Sequence, residues 1–252
     1  MLRRRLDLRK PLFAILLRGS QADPAFRGAL LERLALKPNW RTPYLAWLVE
    51  DRNRHAEAAT LMVALSAGQL APHDPEVELV LYALLRAREF DGLRATAAQL
   101  GLLRGKPLKA GDFEHTAGQL PFAWEILGAA GAGGDIVDDT QWGGKVLVVD
   151  YDGLSAAPVA RHLLALSPGR YLLTARKRTT GRTDAMAWRL ACAEGAPLAS
   201  ELGHFQPNRV LITFDIPSEN CSLQWLELRG EPGERFSAGT VIFDDIDLRP
   251  AN

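Results

Sequence analysis

The chain has 252 residues, 47% hydrophobic and 24% charged, with 30 Lys+Arg balancing 30 Asp+Glu. This is ordinary globular composition for one large or two modest domains, and no apolar run reaches the roughly 20 residues of a membrane-spanning helix. The zero net charge hides a polarity: residues 1–110 carry 18 basic and 11 acidic side chains, residues 111–252 carry 12 and 19, so two unlike halves are joined.

In chain order, Met1–Lys10 has the basic character of a signal-peptide start. The apolar run Pro11–Leu17 is short and meets Arg18 at once, which argues against a cleaved signal; if the product works in an envelope compartment, the expectation is a piece of something longer. Apolar residues at three and four spacing then predict amphipathic helices over 25–36, 43–51, 55–67, 76–88 and 91–100. Pro38, Pro72 and Pro107 punctuate them at intervals of 34 and 35 residues. In that register Leu48 and Tyr82 correspond, as do Ala56 and Phe90, and the stretch from Arg88 to Ala98 has the pattern of a second repeat helix.

These features resemble the tetratricopeptide family of helix-turn-helix repeats, over about two units between residues 38 and 106. The resemblance implies a groove for an extended peptide or protein partner, with support or a solenoid end as the plainer reading. Arg52, Arg54, Arg86 and Arg88 line no stretch with interleaved aromatics, so a nucleic-acid role is not expected.

A glycine- and proline-marked connector follows, and the predicted organisation is a helical domain over 1–105, a linker over 106–121 and a second domain over 122–252. Beyond the connector the period changes to strand alternation, with eight strands expected at 122–126, 145–151, 159–166, 170–178, 186–192, 209–216, 221–228 and 241–248. The glycines at 128, 131, 133 and 134 read as a flexible hairpin loop, since no helix or Gly-Lys-Ser/Thr ending follows them. The fold class expected is multidomain α plus β: a helical repeat region, then an antiparallel jelly-roll β-sandwich.

The landmarks Phe122-Ala-Trp-Glu125, Leu166–Leu173, Trp188–Cys192, Phe214–Pro217, Cys221–Leu228 and Ile242–Leu248 resemble the galactose-binding-like and carbohydrate-binding-module sandwiches of bacterial extracellular proteins. That resemblance implies exposed rings on which the apolar face of a pyranose stacks. Trp142, in the polar stretch Asp138–Gly144, is the first candidate, Trp225, on the strand face opposite Leu226 and Leu228, the second, and Tyr151 and Phe205 further rings; Trp124 and Trp188 sit in apolar alternations and are assigned to packing.

Cys192 and Cys221 are the only cysteines. A bridge between them would indicate a periplasm or cell envelope, and free thiols a cytoplasmic setting. Asp244, Asp245 and Asp247 invite a structural calcium, against the plainer reading of solvated edge carboxylates; alternation places Asp244 on the face opposite Asp245 and Asp247. No other cofactor and no catalytic constellation is indicated. The expected function is non-catalytic: a helical arm for a protein partner and a sandwich for a polysaccharide, in envelope or exopolysaccharide assembly. The alternative is a structural scaffold with no glycan ligand.

Overall fold

The computed structural model describes residues 9–68, 71–114, 118–181, 186–195, 198, 200–202, 208–232 and 238–251. The chain divides into two compact units, Met1–Leu102 and Leu103–Asn252. Phe205 lies outside the described residues.

The first unit is helical: α1 (Arg9–Ala22), α2 (Pro24–Ala35), α3 (Arg41–Val49), α4 (His55–Ser66), α5 (Asp74–Arg86) and α6 (Phe90–Gln99). From α2 onward each bound falls within two residues of the sequence expectation. Asp23 caps α2, accepting the Ala25 N–H at 2.8 Å, and Pro24 fills the first helical turn, where its missing N–H has no intrahelical partner to lose. Consecutive helices contact one another, α1 with α2, α3 with α4, α4 with α5 and α5 with α6, and α3 also contacts both α1 and α5. Leu34, Leu45, Leu48, Met62, Leu81 and Leu93 are wholly buried, each contributing about 1.5–3 kcal/mol by leaving water.

A charged group is buried in this unit. The Arg41 guanidinium donates through Nε to Glu76 Oε1 at 3.0 Å and through Nη1 to the Leu34 carbonyl at 3.3 Å; Nη2 pairs with the second Glu76 oxygen. Thr42 adds its hydroxyl to Glu76 at 2.6 Å. Arg41 and Glu76 are each 1% exposed, so the ends of α2, α3 and α5 meet at a dry, fully bonded ion pair.

The second unit contains β1 (Glu125–Ile126), β2 (Gly128–Ala129), β3 (Ala132–Asp139), β4 (Gly144–Tyr151), β5 (Pro158–Leu164), β6 (Gly169–Gly181), β7 (Met186–Cys192), β8 (Ser200–Leu202), β9 (Arg209–Ile216), β10 (Gln224–Gly230) and β11 (Gly239–Pro250). They form two antiparallel sheets, a four-stranded one in the order β1-β5-β10-β7 and a seven-stranded one in the order β2-β3-β4-β11-β6-β9-β8. Leu147, Val149, Leu173, Phe214, Phe243 and Leu248 of one sheet enter the same buried cluster as Leu190, Leu226 and Leu228 of the other. This is a β-sandwich, the inward residues alternating with outward ones along each strand.

The glycine-rich stretch read as a flexible hairpin loop does form a hairpin, β2 on β3, but its glycines are paired rather than loose: Gly128 lies opposite Gly133, and Gly133 and Gly134 lie opposite Asp150 and Val149 of β4. Glycine has little strand preference of its own, so here the neighbouring strand decides. The connector is likewise not a free linker. Leu108 and Phe113 belong to the sandwich core, and the Gly111 carbonyl accepts the Ile246 N–H at 2.8 Å. A Cβ at Gly111 would stand 1.8 Å from the Ile246 carbonyl oxygen, which is why a glycine occupies this approach.

Trp188 is 3% exposed, and its ring meets Trp124 and Phe243 edge to face at centroid distances of 5.8 and 5.4 Å, a packing role for both tryptophans. Cys192, closing β7, is disulfide-bonded to Cys221, with the Cα atoms 4.9 Å apart. Gln224 holds the spot from below, donating to the Cys221 carbonyl at 2.5 Å and accepting the Leu166 N–H at 2.8 Å.

Candidate functional site

The turn joining β3 to β4 places Trp142. Asp139 Oδ1 accepts the N–H groups of Gln141 and Trp142, both at 2.8 Å, an arrangement that lets an aspartate substitute for a backbone turn acceptor. Gly143 follows with φ +74°, and its N–H bonds back to the Asp139 carbonyl at 2.9 Å. The indole of Trp142 is thereby carried to the outer side of the seven-stranded sheet, where it is half-buried against two arginines of β6. The guanidinium carbons of Arg176 and Arg178 lie 4.4 and 4.9 Å from the ring centroid, inside the range of cation–π attraction, worth about 0.5–2 kcal/mol each.

Both arginines are held by acids. Arg178 pairs with the second oxygen of Asp139 and donates to Gln141 Oε1 at 2.6 Å. Its hydrogen bond, then the Trp142 N–H, holds the Asp139 carboxyl below the usual range. Arg176 donates to Asp244 at 3.4 Å and to Asp245 at 3.2 Å. Burial pushes the Asp244 carboxyl up, and the neighbouring charges of Asp245 and Glu114 push the same way.

Two aspartates that strict alternation would put on opposite faces reach one guanidinium because β11 is irregular there. The pairing with β6 shifts between Asp244 and Asp247, and Asp245 has φ +49°, the signature of a β-bulge that re-aims a side chain. Arg176 is thus ion-paired to both Asp244 and Asp245. Among the described residues no group of three or more His, Cys, Asp and Glu side chains is placed to hold a metal ion.

Trp225 lies on the outer side of the four-stranded sheet, half-buried, with Leu163 and Ala191 opposite it on β5 and β7. The Arg161 guanidinium covers it at 4.6 Å and is tied to Glu125 at 2.6 Å. Tyr151 does not join either ring. It points into the sandwich at 2% exposure, its hydroxyl buried without a hydrogen-bond partner among the described residues, and burial raises its pKa. The expectation of Tyr151 as an exposed platform is corrected: position 151 falls on the core parity of β4, with Leu147 and Val149.

An open groove of about 480 Å³ lies where the edges of β3, β4 and β11 come together, lined by Gly131–Gly133, Asp150–Asp152 and Ala238–Thr240. Thr240 donates its hydroxyl to Asp150 at 2.6 Å, and Asp152 accepts the Leu154 N–H at 2.7 Å. By alternation Asp150, Val148 and Val146 share the outer face with Thr240, Ile242 and Asp244. The groove and the Trp142 cluster thus occupy the two ends of one sheet face, about 13 Å apart along β11 by strand rise.

Sequence reasoning singled out the tryptophans but missed Arg176, Arg178, Asp139 and Gln141. Their only signal was position: Arg176 and Arg178 repeat at spacing two along a predicted strand, and Asp139 precedes the Trp142 turn by three residues.

The fold and this face define a two-unit protein with a helical part and a β-sandwich carrying an arginine-lined indole. No protein-family model matches the sequence, and no curated protein matches it. Solved structures similar to it match over the C-terminal part. A putative sugar-binding protein from Bacteroides thetaiotaomicron matches at 12% identity and TM-score 0.38, over 58% of this chain and 92% of that one. A family 4 carbohydrate-binding module matches at 15% and 0.37, over 57% and 99%. A family 61 module solved with β-1,4-galactotriose also matches at 15% and 0.37, over 58% and 99%.

Proposed function

We propose that the sandwich is a non-catalytic glycan-binding unit and that its ligand lies on the outer face of the seven-stranded sheet, with Trp142 as the platform. The observation that carries this reading is the Trp142 cluster: an indole on a sheet surface, ringed by the planar donors and acceptors of Arg176, Arg178, Asp139 and Gln141. A pyranose offers an apolar C–H face to such a ring and hydroxyls to its neighbours. The groove at Asp150 and Thr240 extends the same face, so the ligand is a chain of sugars rather than a monosaccharide.

In this reading the helical unit is a tetratricopeptide-like arm for a protein partner, supported by the 34- and 35-residue proline spacing and the packing of consecutive helices on one another. The protein works outside the cytoplasm, in envelope or exopolysaccharide assembly; the Cys192–Cys221 bridge supports an oxidising compartment. No helix among the described residues is long and apolar enough to cross a membrane.

A structural scaffold without glycan is the second reading, favoured by the guanidiniums that already cover Trp142 and Trp225. A glycan array with the purified protein and with Trp142→Ala and Trp225→Ala, each checked by circular dichroism, separates the two. Binding lost in folded Trp142→Ala and kept in Trp225→Ala supports the proposed face. An intact protein that binds no glycan leaves the scaffold.

A further inference from the structure

We infer that the Trp142 face selects uncharged glycan chains and rejects those bearing uronate, sulfate or phosphate groups. This rests on the glycan-binding reading and deepens it. An arginine on a sugar-binding surface ordinarily suggests an acidic ligand, because the guanidinium fork fits carboxylate and phosphate. Here both guanidiniums are already engaged within the chain. Arg178 holds Asp139 and Gln141 through its two terminal nitrogens, and Arg176 holds Asp244 and Asp245 through Nη1. The guanidiniums lie against the indole and are at the same time ion-paired to acids of this chain.

The balance of charge points the same way. Within the cluster Arg176 and Arg178, with Arg209 across from Arg176 on β9, face Asp139, Asp244 and Asp245, and Glu114 is close enough to act on Asp244. At the other end of the face, the groove is lined by Asp150 and Asp152 and by no basic residue among those described. An acidic sugar that takes up a guanidinium fork must displace one of these carboxylates from its arginine. Displacing Asp244, only 8% exposed, would strand a buried acid beside a second negative charge. Like charges brought together at an interface cost several kcal/mol. Uncharged hydroxyls, by contrast, accept from the outer N–H groups and donate to the carboxylate lone pairs with every ion pair intact.

The test uses the full chain in affinity electrophoresis against pairs that differ in charge alone: polygalacturonate and its carboxyl-reduced form, hyaluronan and its carboxyl-reduced form, and κ-carrageenan and its desulfated form. The expected result is retardation by a neutral member, with its acidic partner at least about tenfold weaker. Asp139→Asn and, separately, Asp245→Asn release an arginine and should narrow that gap. The Asp245 side chain is 56% exposed, so its variant keeps the fold even if the Asp139 turn does not tolerate substitution. An acidic member bound as well as its neutral partner by the unmodified protein overturns the inference and leaves glycan binding standing. Failure of every pair, together with a blank glycan array, overturns both.

Discussion

Arg178 and Asp139 are 39 residues apart in sequence, with β4 and β11 between their strands, yet they form the ion pair that seats the Trp142 turn. One aspartate closes the turn through two backbone N–H groups and fixes the arginine on which the indole rests. The local turn and the long-range contact are thus one device.

Asp139→Asn should therefore loosen the Trp142 loop while leaving the sandwich core intact. The Asp139 carboxyl titrates below its ordinary value of 3.8, so its contribution is complete above that pH and is lost as pH falls through the lower folded value. Titration of Asp139 should shift the Trp142 indole resonance in an NMR spectrum only below about pH 4, whereas a shift above that belongs to Asp244, whose carboxyl is pushed up and whose arginine also lies on the ring. In Asp139→Asn the resonance should be displaced already at pH 7. A resonance identical in the two proteins would show that the ion pair does not hold the ring.

Acid should weaken the sandwich earlier than carboxylate titration would. His162 is 1% exposed, lies edge-on to Trp124 at 5.4 Å and bonds the Leu163 carbonyl at 2.9 Å; burial lowers its pKa from 6.5 to about 4. The unfolded chain takes up a proton between those values and the folded chain does not, so stability falls from pH 6.5 toward 4, by about 3 kcal/mol in all. Urea unfolding at pH 7.5 and pH 4.5 reads this directly. In a folded His162→Gln variant the part of the loss due to residue 162 should vanish, whereas an unchanged pH dependence would assign it elsewhere.

Reduction should destabilise the same unit. The Cys192–Cys221 bridge closes a loop of sequence separation 29, which by chain constraint contributes about 3–4 kcal/mol. The expected outcome for Cys192→Ala/Cys221→Ala is a lower urea midpoint, matched by the unmodified protein under dithiothreitol. A midpoint indifferent to reductant would mean that the thiols are not bridged in solution.

In the helical unit, Glu76→Gln should cost about 3–5 kcal/mol, because it leaves the buried Arg41 charge uncompensated. Its folded carboxyl titrates below the usual value: burial pushes it up, but the hydrogen bonds of Arg41 and Thr42, with the Arg41 charge, outweigh burial. Arg41→Met/Glu76→Leu, which removes both charges, should recover most of the lost thermal stability. Equal Tm values for the single and double variants would contradict a coupled pair.

The architecture was largely legible. Leu30, Leu34, Val80, Leu81 and Leu84 carry a helical period because one helix face is buried, and all five are buried, while Leu31 and Leu85 of the same stretches are half-buried. Tyr171, Leu173 and Ala175 alternate because one sheet face is buried, and they too are buried. The site was legible only in part. The polar turn singled out Trp142, and the parity of β10 placed Trp225 outward, but nothing local to either ring indicated its arginine.

What the sequence by itself determined is therefore whatever burial repeats at short range: helices before residue 102, most of the strands after residue 120, and the inward parity of those with clean alternation. The tertiary structure decided the rest. It paired the glycines of β2 and β3, buried Tyr151 and Phe113, joined Cys192 to Cys221, and turned Asp244 and Asp245 together onto Arg176 through a bulge. Each of these outcomes depends on a partner brought in from tens of residues away. Periodicity records only that a residue is buried, whereas the partner is set by strand order and register.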